Sequence, residues 1–185
     1  ACGMLSGCGS NGSEKAPETA KAQTEAGAAE SGEAREGGGT IVYGSNDYTR
    51  INPAMDEHGE INVLIFDGLT DHDGNNEVVP RLAKSWDYDE ENSTYTLHLQ
   101  EGVKWHDGEP FTAEDVKFTI EAIMDPANES ENAPNYEDVE SITVIDDHTI
   151  EFKLSAPNVA FLDYMTMPIL PKHLLEGENM QESDF

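Results

Sequence analysis

His106 and Asp107 stand side by side, and an imidazole next to a carboxylate can serve as an acid–base couple or as part of a metal site. A second oxygen-rich stretch, Asp71, His72, Asp73, Gly74, Asn75, Asn76 and Glu77, has the flavour of a calcium loop. An EF-hand loop requires Gly at its sixth position and Glu at its twelfth, where this chain has Asn76 and Leu82. The stretch is therefore expected to be a polar β-turn. No nucleophile elbow, zinc motif or Gly-rich phosphate loop occurs. Carboxylates are abundant, but glycoside hydrolysis needs two of them at a defined separation across a bond. The sequence thus assigns no catalytic residue, no metal ligand set and no cofactor. It favours binding over catalysis.

Both cysteines, Cys2 and Cys8, fall in the first ten residues. Leu5-Ser-Gly-Cys8 fits the lipobox of bacterial lipoproteins, in which a signal peptidase cuts before the cysteine and the thiol carries a diacylglycerol. Residues 1–8 are read as the remnant of such a signal peptide, with Cys8 the lipidation site. Residues 9–39 contain no Val, Ile, Leu, Met, Phe, Trp or Tyr. Such a segment has too little apolar surface to offset its ordering entropy, so it is expected to be a disordered tether. Net charge is −28, from 38 acidic and 10 basic residues, which repels phosphate backbones and excludes nucleic acid as a partner.

Residues 40–185 carry nearly all the large apolar side chains and no cysteine, so packing alone must hold them together. Residues 40–44 (Thr-Ile-Val-Tyr-Gly) read as a first strand, and residues 61–66 as either a strand or a buried helix. Trp86 to Tyr88 and Thr94 to Gln100 form a predicted hairpin, with Tyr95, Leu97 and Leu99 on one face. Asp107-Gly108 is a turn. Thr112 sits as a helix N-cap before Ala113, Glu114 and Asp115, and Val116, Ile120, Ile123 and Met124 follow at helical spacing until Asp125-Pro126 ends the run. A second hairpin pairs Ile142 and Val144 with Ile150, Phe152 and Leu154 around Asp146-Asp147. Pro157, Pro168 and Pro171 break the remainder into short elements. The fold class is α+β (mixed α/β), strand-rich with a few helices. Trp86 and Trp105 are expected to be mostly buried, with truncation to Ala costing about 3–5 kcal/mol.

The run Arg81-Leu-Ala-Lys-Ser-Trp86, Thr94-Tyr-Thr-Leu-His-Leu99, Gly102-Val-Lys-Trp-His-Asp-Gly108 and Pro110-Phe-Thr-Ala-Glu-Asp-Val-Lys-Phe118 resembles the family 5 extracellular solute-binding proteins of ABC importers. Asn52-Pro53, Phe66-Asp-Gly-Leu69, Val79-Pro80 and Pro168-Ile-Leu-Pro-Lys-His-Leu-Leu175 match in order, so the resemblance runs from Gly38 to about Leu175. It implies a two-lobed periplasmic-binding-protein-like fold, of which residues 40–185 would be an incomplete first lobe with the second lobe absent. It implies capture of di- or oligopeptides for a membrane permease and ATPase complex, outside the cytoplasm, on a lipid anchor at the outer face of the cytoplasmic membrane or in the periplasm. The same fold accommodates nickel or a metal chelate, haem or an oligosaccharide as alternatives, and a secreted hydrolase is the alternative of another class. Because the His106-Asp107-Gly108 turn is shared across the family whatever the solute, its expected role is structural. The segment after Asn52-Pro53 is where the resemblance places ligand contacts, here Met55, Asp56, Glu57 and His58, with Tyr48 nearby. Met55, Glu57 and His58 are side chains that transition metals accept.

Overall fold

The computed structural model describes residues 52–54, 62–178 and 180, all within the unit Tyr43–Phe185. Cys8, the tether at 9–39, the strand expected at 40–44 and the candidate ligand contacts Tyr48, Met55, Asp56, Glu57 and His58 lie outside the described residues. The ambiguous apolar run resolves as a one-turn helix, α1 (Asn62–Ile65), followed by a small antiparallel hairpin of β1 (Thr70–His72) and β2 (Val78–Pro80). The stretch that resembled a calcium loop is divided: Asp71 and His72 belong to β1, and residues 73–77 form the turn between the strands. Its Asp73 carboxylate is consumed locally, accepting from the amides of Asn75 at 2.8 Å and Glu77 at 2.9 Å. Those bonds hold the Asp73 carboxyl below the usual aspartate range.

The principal sheet contains β3 (Ala83–Asp89), β4 (Thr94–Leu99), β5 (Val139–Asp146) and β6 (Thr149–Leu154), all antiparallel and in the order β3-β4-β6-β5. Both predicted hairpins are present, as β3–β4 and β5–β6. Local periodicity did not reveal that β4 and β6 pair and fuse them into one sheet. The register sorts the side chains by face. Tyr88, Tyr95, Phe152 and Ile142 form one inward row, and Trp86, Leu97, Ile150 and Val144 the next. Asp89, Thr94, Lys153 and Ser141 form a row on the opposite, polar face. One apolar and one polar face are what the period-2 alternation requires.

Helix α2 (Ala113–Met124) packs on β5 and β6 through Val116, Ile120 and Ile123, all buried, while Met124 at its end is only partly so. Asp115, 4% exposed, fixes the start of the helix. Its carboxylate accepts from the Thr112 amide at 2.8 Å, the Thr112 hydroxyl at 3.3 Å and the Lys172 amide at 2.9 Å. The last of these bonds docks α4 (Lys172–Leu175) onto α2, and the Lys172 ammonium adds an exposed ion pair with Glu114 at 2.9 Å. One turn further along, Thr119 donates to the Asp115 carbonyl and accepts from the Leu170 amide. Helix α3 (Phe161–Tyr164) closes the core, its Phe161 ring lying 4.9 Å from Tyr95 and 5.4 Å from Phe152.

The two tryptophans depart from expectation: both are half-buried at the margin of the core. Trp86 faces inward but sits on edge strand β3, while α2 covers the β5–β6 side. Trp105 lies in the loop before α2, and its indole N–H is buried without a hydrogen-bond partner among the described residues, which offsets part of the gain from burying the ring. Trp86→Ala and Trp105→Ala are therefore expected to cost about 2 kcal/mol each, below the range for a fully buried aromatic. Chemical denaturation of the two variants measures this, and a loss above about 3 kcal/mol for either would contradict it.

Candidate functional site

The segment expected to touch ligand begins immediately after Ala54, and a buried polar shelf holds its root. Asn52, Ala54, Ser130 and Asn132 are all at least nine-tenths buried. The Asn52 carboxamide oxygen accepts from the Ala54 amide at 3.0 Å, an Asx-type turn that a following proline, Pro53, pre-sets. The Ser130 hydroxyl donates to the Ala54 carbonyl at 2.5 Å and accepts from the Asn132 amide at 3.3 Å. The Asn52 amide nitrogen reaches the Met180 sulfur at 3.5 Å. The Asn132 side-chain nitrogen, by contrast, is buried with no partner among the described residues, and Asn132 itself is 4% exposed. A buried donor without an acceptor costs about 1–3 kcal/mol, which makes this the least satisfied point of the shelf.

Sequence reasoning missed Ser130 and Asn132. They lie in the polar stretch after α2, and the signal that identifies them is their burial together with the contact to Ala54, 76 positions away. Neither is visible in periodicity.

The His106–Asp107 pair is not a couple. Asp107 turns to His173 on α4 instead, with 2.6 Å between its Oδ2 and the His173 Nε2, and its Oδ1 accepts from the Glu109 amide at 3.1 Å. The Trp105 ring lies tilted 6.3 Å from the same imidazole. The turn is thus a structural clasp between the loop before α2 and α4, as its expected structural role requires. The His173 hydrogen bond first, and the Glu109 amide second, lower the Asp107 pKa. A carboxylate with a depressed folded-state pKa contributes stability above its unfolded value, and loses it as pH falls through the folded value. Asp107→Asn is therefore expected to lower Tm at pH 6, with the difference from the parent vanishing as pH drops well below about 3.9. A Tm difference of the same size at pH 6 and pH 2 would contradict this.

His106 instead borders an open cleft of about 300 Å³ together with Leu64, Phe66, Asp67, Lys104 and Trp105. Among the described residues no group of three His, Cys, Asp or Glu side chains is placed to hold a metal ion. No helix among them is long and apolar enough to cross a membrane.

Comparison with known proteins gives this geometry its context. The family described as bacterial extracellular solute-binding proteins, family 5 Middle, matches residues 77–183. Di/tripeptide-binding protein 1 of Pseudomonas aeruginosa is 34% identical, over 56% of this chain and 23% of its own length. The dipeptide-binding protein of Escherichia coli is 33% identical, over 69% of this chain and 28% of its own. The chain therefore spans about a quarter of the length of these relatives. Among solved structures, NikZ from Campylobacter jejuni in complex with Ni(L-His) superposes with a TM-score of 0.72 at 43% identity, covering 76% of this chain and 29% of that one. The structural neighbours are two-lobed periplasmic binding proteins, and the antiparallel sheets and few helices described above correspond to part of one. With the profile matching more than half of the chain and the same strand-turn-helix motifs in place, the protein belongs to the bacterial extracellular solute-binding proteins of family 5.

Proposed function

We propose that this protein is the substrate-binding component of an ABC importer, capturing di- or oligopeptides outside the cytoplasm and presenting them to a membrane permease and ATPase complex. The observation that carries the reading is the family 5 match over residues 77–183 together with peptide-binding relatives on the same chain segment, and the buried shelf of Asn52, Ala54, Ser130 and Asn132 supplies a fixed base for it. It sits at the root of residues 55–58, where Met55, Asp56, Glu57 and His58, with Tyr48, are the proposed ligand contacts. The dipeptide and di/tripeptide specificities of two relatives support peptide as the solute class. The protein would bind its solute unchanged and perform no catalysis.

Residues 1–8 and 9–39 are proposed as the signal-peptide remnant and the tether, with Cys8 carrying the lipid that anchors residues 40–185 at the membrane. Cys8→Ser is expected to move the protein from the detergent phase to the aqueous phase, and equal partitioning of parent and variant would sink the anchor.

Nickel chelate is the second reading, favoured by the NikZ superposition and by the metal-compatible types of Met55, Glu57 and His58. Titration calorimetry of the complete protein with dialanine and with nickel–histidine separates the two. The peptide reading expects heat with dialanine. Heat with nickel–histidine alone would transfer the assignment, and heat with neither would overturn both.

A further inference from the structure

A groove of about 330 Å³ opens at the β3 edge of the sheet, lined by Tyr88, Glu90, Tyr95, Pro157, Asn158 and Val159. It shares no residue with the shelf at Asn52–Asn132. Its floor is rigid because its aromatic residues continue into the core. Tyr88 stacks on Tyr95 at 4.4 Å, Tyr95 on Phe161 at 4.9 Å, and the Tyr95 hydroxyl donates to the Asn158 carbonyl at 3.3 Å. Its lip is apolar and open to solvent, since Val159 is 94% exposed and Tyr88 is also exposed. A large apolar side chain left so fully in water gains nothing for the fold, and next to an aromatic groove it reads as a contact surface.

The charge around the groove selects the occupant. Glu90 lines it, Asp89 and Glu91 flank Glu90 in the chain, and no basic residue is among its lining side chains. In a chain of net charge −28 this potential repels a second copy and any acidic segment. The open face of Tyr88, backed by Tyr95, beside the Glu90 carboxylate is the environment that an Arg or Lys side chain seeks, and Pro157 with Val159 offers a neighbouring apolar contact.

We infer that this groove is a second binding site, for an extended cationic peptide carrying Arg or Lys beside an apolar residue. It stands apart from the solute assignment above.

The test is fluorescence anisotropy with fluorescein-labelled acetyl-Arg-Pro-Leu-Arg-amide, blocked at both ends, titrated with the protein. A second probe replaces both arginines by citrulline, which keeps the shape and removes the charge. The expected result is saturable binding of the arginine probe and affinity for the citrulline probe weaker by about tenfold or more. Glu90→Gln and Val159→Ser, exposed positions whose change leaves Tm unaltered, are each expected to weaken the arginine probe about threefold or more. Absence of binding, equal affinity for the two probes, or unchanged affinity in both variants would overturn the site, the last result meaning that the probe sits elsewhere on the protein.

Discussion

Asp115→Ala is expected to destabilise the protein by about 4 kcal/mol, more than any other single side-chain change described here. The carboxylate receives three donors in a buried setting: the Thr112 amide, the Thr112 hydroxyl and the Lys172 amide. Alanine leaves two backbone N–H groups without acceptors, each costing about 1–3 kcal/mol, and removes the negative side chain that favours the helix N-terminus. The loss also weakens the docking of α4 on α2, because the Lys172 amide bond is one of the links between them, beside the Lys172–Glu114 ion pair and the Leu170–Thr119 bond. Asp115→Asn keeps one acceptor oxygen of two and should cost roughly half as much. Urea titrations of the three proteins decide the matter, and a loss below about 2 kcal/mol for the alanine variant would show that water replaces the carboxylate.

Gly68→Ala comes next, at about 3 kcal/mol. A Cβ on Gly68 would lie 2.4 Å from the Thr166 carbonyl oxygen, 2.6 Å from its carbon and 2.9 Å from the Thr166 Cα. These are backbone atoms, so no rotamer change relieves the clash. The two segments cannot simply part, because the neighbouring Leu69 amide donates to the Met165 carbonyl at 2.8 Å and the Ile169 amide to the Asp67 carbonyl at 3.0 Å. The glycine of the Phe66-Asp-Gly-Leu69 motif is thus a spacing requirement between two chain segments about a hundred residues apart. A thermal shift within a degree of the parent would show that the 165–169 segment yields.

Much of this architecture was legible from the residues. Alternation in Tyr95, Leu97 and Leu99 named the inward face of β4, and Thr112 with Asp115 named the start of α2, because both signals are written in local spacing. The β4–β6 pairing was hidden, since two amphipathic strands do not say which partner lies beside them. The half-burial of Trp86 and Trp105 was hidden for a related reason: a residue type gives the size of its apolar surface, while the place of its strand or loop at the margin of the core decides how much is covered. The shelf at Asn52 could not be found from spacing, because Ser130 and Asn132 acquire meaning only where the fold brings them to Ala54. His106–Asp107 shows the converse, adjacency in sequence that the fold separates by giving Asp107 to His173.

The strand order β3-β4-β6-β5 also bears on how the chain reaches its native state. Each hairpin closes through a turn of a few residues, an event of microseconds, but the seam between β4 and β6 joins strands with all of α2 and β5 between them in the chain. Closing that loop must be compensated by the burial of Leu97 against Ile150 and Tyr95 against Phe152 at the moment they meet. The rate-limiting ensemble is therefore one in which this central seam has formed, and substitutions along it slow refolding, whereas those at the outer strand β3 chiefly hasten unfolding.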